Sequence, residues 1–85
     1  MARFRWNDWN VEHIARHGVR PAEAEDVVKA GDRRRLELDK YKAVGRGSGG
    51  RWLQVIYIFD PPGVVYVIHA RPLTDREKRR ARKQK

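Results

Sequence analysis

The sequence has no cysteine, so it offers neither a disulfide framework nor a thiolate metal site. No apolar run approaches the roughly 20 residues that a membrane-spanning helix requires. The start, Met1-Ala2-Arg3-Phe4-Arg5-Trp6, lacks the apolar stretch of a signal peptide, and a cytoplasmic location with no membrane partner is the expectation. There is no internal repeat and no composition break that would mark a boundary. Eighty-five residues therefore read as a single domain over 1–85, just above the size at which one core must be stapled. Acidic residues are scarce, 11 against 20 Lys and Arg, for a formal net charge of +9. Such an excess implies a polyanion, an acidic protein, or both as partners.

What is present concentrates in the last third. Trp52 to Phe59 is a nearly continuous apolar strand, which turns at Asp60-Pro61-Pro62-Gly63 into a second strand, Val64 to Ala70. The second strand ends on His69-Ala70-Arg71, and seven cations follow between Arg76 and Lys85. An imidazole and a guanidinium beside a dense positive field suit a phosphodiester, and RNA is the candidate.

Earlier in the chain, Phe4-Arg5-Trp6 alternates like a short edge strand. Asn7 or Asp8 can cap a helix to about Arg16, with Val11, Ile14 and Ala15 as its apolar stripe and Gly18 ending it. Pro21 opens a second helix that Gly31 stops, with Ala24, Val27 and Val28 as its buried face. From Arg33 the period becomes two, with Leu36 and Leu38 in a half-exposed strand and Tyr41 to Arg46 in another. Thr74-Asp75-Arg76-Glu77 has the capping-box spacing, but the helix it starts has only Ala81 as a non-polar side chain. The expected fold is a two-layer α+β domain: an antiparallel sheet of four to five strands on two N-terminal helices. A basic C-terminal helix or arm, residues 76–85, completes it.

A four-residue hairpin loop pairs Phe59 with Val64, which sets Gln54 beside His69 and Trp52 beside Arg71. Carried across the glycine loop, the register puts Ala43 and Gly45 next to Gln54 and Trp52. A shallow concavity away from the helices is the consequence, bordered by Gln54, His69, Arg71, Trp52 and Arg46. Metal-free RNA cleavage needs a base, an acid and cations on the developing phosphorane, and histidine and arginine supply these. The plainer reading makes His69 a structural hydrogen-bonding group and pairs Arg71 with Asp75. His13 and His17 stand at a chelating spacing, but Ile14 replaces the Glu of a metalloprotease helix and nothing completes a third ligand. No metal and no cofactor is expected.

In order along the chain, Trp6-Asn7, Asn10, His13-Ile14, His17-Gly18-Val19, Glu23-Ala24, Gly45-Arg46, and His69-Ala70-Arg71-Pro72 with Glu77 resemble the BrnT-type toxins of bacterial type II toxin–antitoxin systems. The resemblance implies a RelE-like fold and a growth-arresting ribonuclease. It also implies a BrnA-like ribbon-helix-helix antitoxin as partner, with DNA bound only through the complex. It points to Arg16-His17, Arg46 and Arg71 as functional positions. It departs at Arg16, where Lys is common, and at Ala81, where relatives often carry Tyr. The candidates for catalysis are then His69, Arg71, Arg46 and His17. Those for RNA binding are Arg16, Arg51, Trp52, Gln54, Arg76, Lys78, Arg79, Arg80 and Arg82. A non-catalytic nucleic-acid-binding module, or a domain for an acidic protein partner, accounts for the same charge.

Overall fold

The computed structural model describes residues 3–61 and 63–83. Pro62 of the hairpin loop, Met1 and Ala2, and the last two residues of the basic arm lie outside them. In chain order the elements are β1 (Phe4–Arg5), α1 (Asp8–Ala15), α2 (Pro21–Ala30), β2 (Asp32–Arg35), β3 (Lys40–Arg46), β4 (Trp52–Asp60), β5 (Val64–Pro72) and α3 (Asp75–Lys83). The sheet runs β1-β5-β4-β3-β2. As expected, β2 to β5 form an antiparallel meander and two helices cover one face. The sheet is mixed, however, because β1 joins β5 in parallel. Two helices and three strands separate those partners, a connection long enough for parallel pairing, which a hairpin cannot make.

α1 packs on β5, and α2 on β3 and β4. The core joins Ile14, Val19, Ala24, Val27 and Val28 to Ala43, Leu53, Val55, Tyr57, Val65, Val67 and Ala70 of the sheet. The α2 face is the one expected. On α1 the expected stripe fails: Val11 and Ala15 are exposed, and Asn10 is buried with Ile14. Asn10 belongs inside because its polar atoms are all used. Its Oδ1 accepts from Asn7 N (2.8 Å), and its amide donates to Arg5 O (3.1 Å). This capping box ties β1 to the first helix turn.

β2 is shorter than its alternating pattern implies. Leu36 and Leu38 lie exposed in the turn, which Arg35 closes by donating to Leu38 O at 2.6 Å. Gly31 ends α2 where a Cβ would sit 2.5 Å from Val44 O and 2.6 Å from Val27 O, so only glycine lets the helix end meet β3 this closely.

The expected hairpin register is wrong by one residue at the loop and by two at the far end. Asp60 pairs with Val64 and Phe59 with Val65; past Ile56 the partners are Ile56–His69, Val55–Ala70 and Gln54–Arg71. Asp60 is drawn into the strand by an ion pair with Arg5, and Gly63, at φ 108°, completes the tight turn. A bulge at Ile68 adds the second shift. It moves β5 burial from Val65 and Val67 to Ala70, a change of parity that simple alternation does not anticipate. Across the glycine loop, Val44 and Arg46, not Ala43 and Gly45, pair with Gln54 and Trp52. Among the described residues no helix is long and apolar enough to cross a membrane.

Candidate functional site

The sheet face opposite the helices carries the cross-strand rows Arg46–Trp52 and Val44–Gln54–Arg71, and the next row, Lys42–Ile56–His69, ends against α1 and the turn after it. α3 lies over one end of this face and makes two cavities with it. The first, about 600 Å³, is walled by Asp32, Arg34, Lys42, Arg46, Trp52 and Gln54 from the sheet and by Glu77, Arg80 and Ala81 from α3. The second, about 630 Å³, is walled by Arg46, Arg51 and Trp52 with Lys78 and Arg82 of α3. No carboxylate is among the described residues lining the second. Arg46 and Trp52 belong to both cavities and stand between them.

Arg71 is held by four hydrogen bonds. Its Nη1 donates to Pro72 O (3.1 Å) and Glu77 Oε1 (2.8 Å), and its Nη2 to Gln54 Oε1 (3.4 Å) and Glu77 Oε2 (2.9 Å). The bidentate fork is the strong form of an Arg–carboxylate pair. Together with Thr74 N at 2.8 Å, it holds the Glu77 carboxyl down at about 2. Glu77 N in turn donates to Thr74 Oγ1 (3.2 Å), so the capping box read from the sequence is present and Glu77 serves it and Arg71 at once.

Arg51 is anchored too. It donates to Glu23 Oε1 (2.9 Å), Glu23 Oε2 (3.2 Å) and Gly18 O (2.7 Å), and Ser48 N donates to Asp26 Oδ2 (3.0 Å). These bonds strap the glycine loop to α2. Arg51 donation keeps the buried Glu23 carboxyl below its usual range, although burial alone would raise it. Arg46 Nε reaches back to Gly50 O at 3.3 Å across the same loop.

His69 lines neither cavity. Its ring meets the rings of His17 (centroids 5.2 Å) and His13 (6.1 Å), and His13 stacks on Trp9 at 4.7 Å. Trp9, His13 and His17 recur every four residues and so project along one side of α1 and the turn after it. Burial pushes the His69 pKa down, and the neighbouring His17, His13 and Arg71 push it further the same way. All of these favour the neutral imidazole. Three histidines converge here, yet among the described residues no group of three His, Asp or Glu side chains is arranged to hold a metal ion.

No family model and no curated protein sequence matches the chain. Its structure is similar to the 1.1 Å crystal structure of the Brucella abortus ribonuclease toxin BrnT. The match has a TM-score of 0.71 and 20% identity, and it covers 88% of this chain and 100% of that one. The chain has the BrnT fold.

On this BrnT fold the predicted residues separate into groups. Arg46, Trp52, Gln54 and Arg80 meet at the first cavity, and Arg51, Lys78 and Arg82 border the second. Arg71 sits beside the first, engaged by Gln54 and Glu77. His69 and His17 meet each other, away from Trp52, so the five-residue concavity loses its histidine. Arg16, Arg76 and Arg79 are exposed and line neither cavity. Arg71 pairs with Glu77, not Asp75. Sequence reasoning gave no site role to Arg34, Lys42 or Glu77, and it weighed His13 as a metal ligand or a hydrogen-bonding group at the helix end. Of the three, Glu77 carried a signal, its place in the capping box and in the motif shared with the resembled family.

Proposed function

We propose that this protein is the toxin component of a type II toxin–antitoxin system: a cytoplasmic, metal-independent endoribonuclease that arrests growth. Its cognate partner is a BrnA-like ribbon-helix-helix antitoxin, and DNA is bound only through that complex. The likeness to a solved ribonuclease toxin over the whole length of that chain carries the reading. The two cation-lined cavities meeting at Arg46 and Trp52 support it, since they fit an RNA backbone running past an aromatic side chain.

In the reaction, neutral His69 accepts the proton of a 2′-hydroxyl. The 2′-oxygen bonds to phosphorus, and the bond from phosphorus to the 5′-oxygen breaks. His17 returns a proton to the leaving oxygen, which makes a 2′,3′-cyclic phosphate and a 5′-hydroxyl end. Arg71, the arginine whose charge acts on His69, stabilises the dianionic phosphorane, and Arg46 holds the RNA backbone further along, where the two cavities meet. The test is cleavage of single-stranded RNA in EDTA with analysis of the ends. Cleavage persists, cyclic or 3′-phosphate ends form, and Arg71→Ala lowers kcat by roughly 10²-fold with a far smaller change in KM. Loss of activity on chelation, or an unaffected Arg71→Ala variant, would discard this chemistry.

Two observations favour a binding-only module: Arg71 makes four hydrogen bonds within the chain, and His69 lies outside both cavities. Tight RNA binding without cleavage in the same assay would establish that reading instead.

A further inference from the structure

α3 poses an electrostatic problem. It is rich in Arg and Lys, buries no residue, and brings Lys78, Arg80 and Arg82 to the cavities where the sheet presents Arg34, Lys42 and Arg46 beside Asp32 and the glycine loop presents Arg51. Like charges should push a helix with no apolar face away from such a sheet. Leu73 anchors its approach, being buried and donating its N–H to Trp52 O at 3.0 Å, but Leu73 precedes the helix. Within α3, Glu77 is the carboxylate that reaches back. It lines the first cavity, forks onto Arg71 and accepts the Thr74 N–H, so one side chain joins the β5 end, the helix start and the cavity wall.

We infer that Glu77 is a positioning residue: it fixes the Arg71 guanidinium at the cavity edge and docks α3 against sheet cations that would otherwise repel it. This rests on the ribonuclease reading only for its kinetic consequence. A side chain held by a fork before substrate arrives loses little freedom when charge builds on the phosphorane. The opposite role is that Glu77 occupies the place of a substrate phosphate and blocks it. The two make opposite forecasts.

The test uses the full chain with Glu77→Gln, which keeps shape and one acceptor oxygen, and with Glu77→Ala. Each is made alone and combined with Arg71→Ala. Turnover on single-stranded RNA, binding of an oligouridylate, and amide hydrogen exchange along α3 are measured. The sheet amides report whether the core remains folded, which it should, because α3 contributes nothing to it. Positioning forecasts a kcat loss on the order of tenfold or more in Glu77→Ala, smaller in Glu77→Gln. Beside Arg71→Ala the second substitution adds less than about twofold, since both act through one group. Exchange of the α3 amides accelerates while the sheet stays protected, and oligouridylate binding weakens. If the unaltered chain does not cleave RNA, the ribonuclease reading falls alone, and exchange and binding still decide the role of Glu77. Unchanged α3 exchange, or tighter binding with faster turnover in Glu77→Ala, overturns the inference.

Discussion

His69 meets the rings of His13 and His17 and feels the charge of Arg71. Its imidazole has little room for a proton. Burial and those neighbours all disfavour the charged form, so its folded pKa falls below the ordinary 6.5. The sign follows. Above 6.5 both folded and unfolded chains hold this residue neutral and nothing is lost. As pH falls from 6.5 through the lowered folded value, the unfolded chain takes the proton first and stability declines. For the proposed reaction the same shift keeps the base form present at lower pH. The acid limb of kcat/KM should therefore centre below 6.5, and NMR titration of the His69 ring should give the same midpoint. His69→Gln should cost about 10²- to 10⁴-fold in kcat. A His69 midpoint at or above 6.5 would remove it as the base.

α3 shows what an element does when it has no core face of its own. Its i, i+3 and i+4 positions, Glu77, Arg80 and Ala81, turn to the first cavity, and Lys78 with Arg82 turns to the second. Ala81 is the small member of the first group, facing Trp52 and Gln54 across about 600 Å³. Ala81→Tyr would put an aromatic ring into that space, where it could stack on a base and give the helix a packing contact. Single-stranded RNA binding should tighten about tenfold, and growth arrest on induction should deepen, reversed by antitoxin. Equal arrest by both chains would take position 81 out of the site.

Over the whole chain the net charge of +9 acts at long range, but only cations that reach phosphates release counterions. Lys78 and Arg82 line the second cavity, whereas Arg76 and Arg79 are exposed and line neither. Replacing Lys78 and Arg82 with Gln should lower the slope of log K against log salt by about 1.4, at about 0.7 per single-strand contact. The pair Arg76→Gln and Arg79→Gln removes as much net charge and should change the slope much less. Equal changes from both pairs would mean that total charge governs binding and that the second cavity does not.

The sequence by itself determined the features that neighbouring residues decide. These are the Thr74–Glu77 capping box, the end of the first helix at Gly18 (φ 71°), the apolar face of α2 and the antiparallel meander. Each rests on a period or a cap spanning a few positions, so its physics is local. Only the tertiary structure decided the register. The bulge at Ile68 shifts parity, because keeping both Val67 and Ala70 in the core requires one unpaired residue between them. That shift set His69 beside His17 and aligned Arg71 with Gln54, and the docking of α3 then chose Glu77 over Asp75 as the partner of Arg71. Which cations share a cavity was likewise settled by packing across 28 residues, as between Arg51 and Glu23. Like charges repel along any sequence, and where they are held together depends on the buried or forked carboxylates that the fold brings to them.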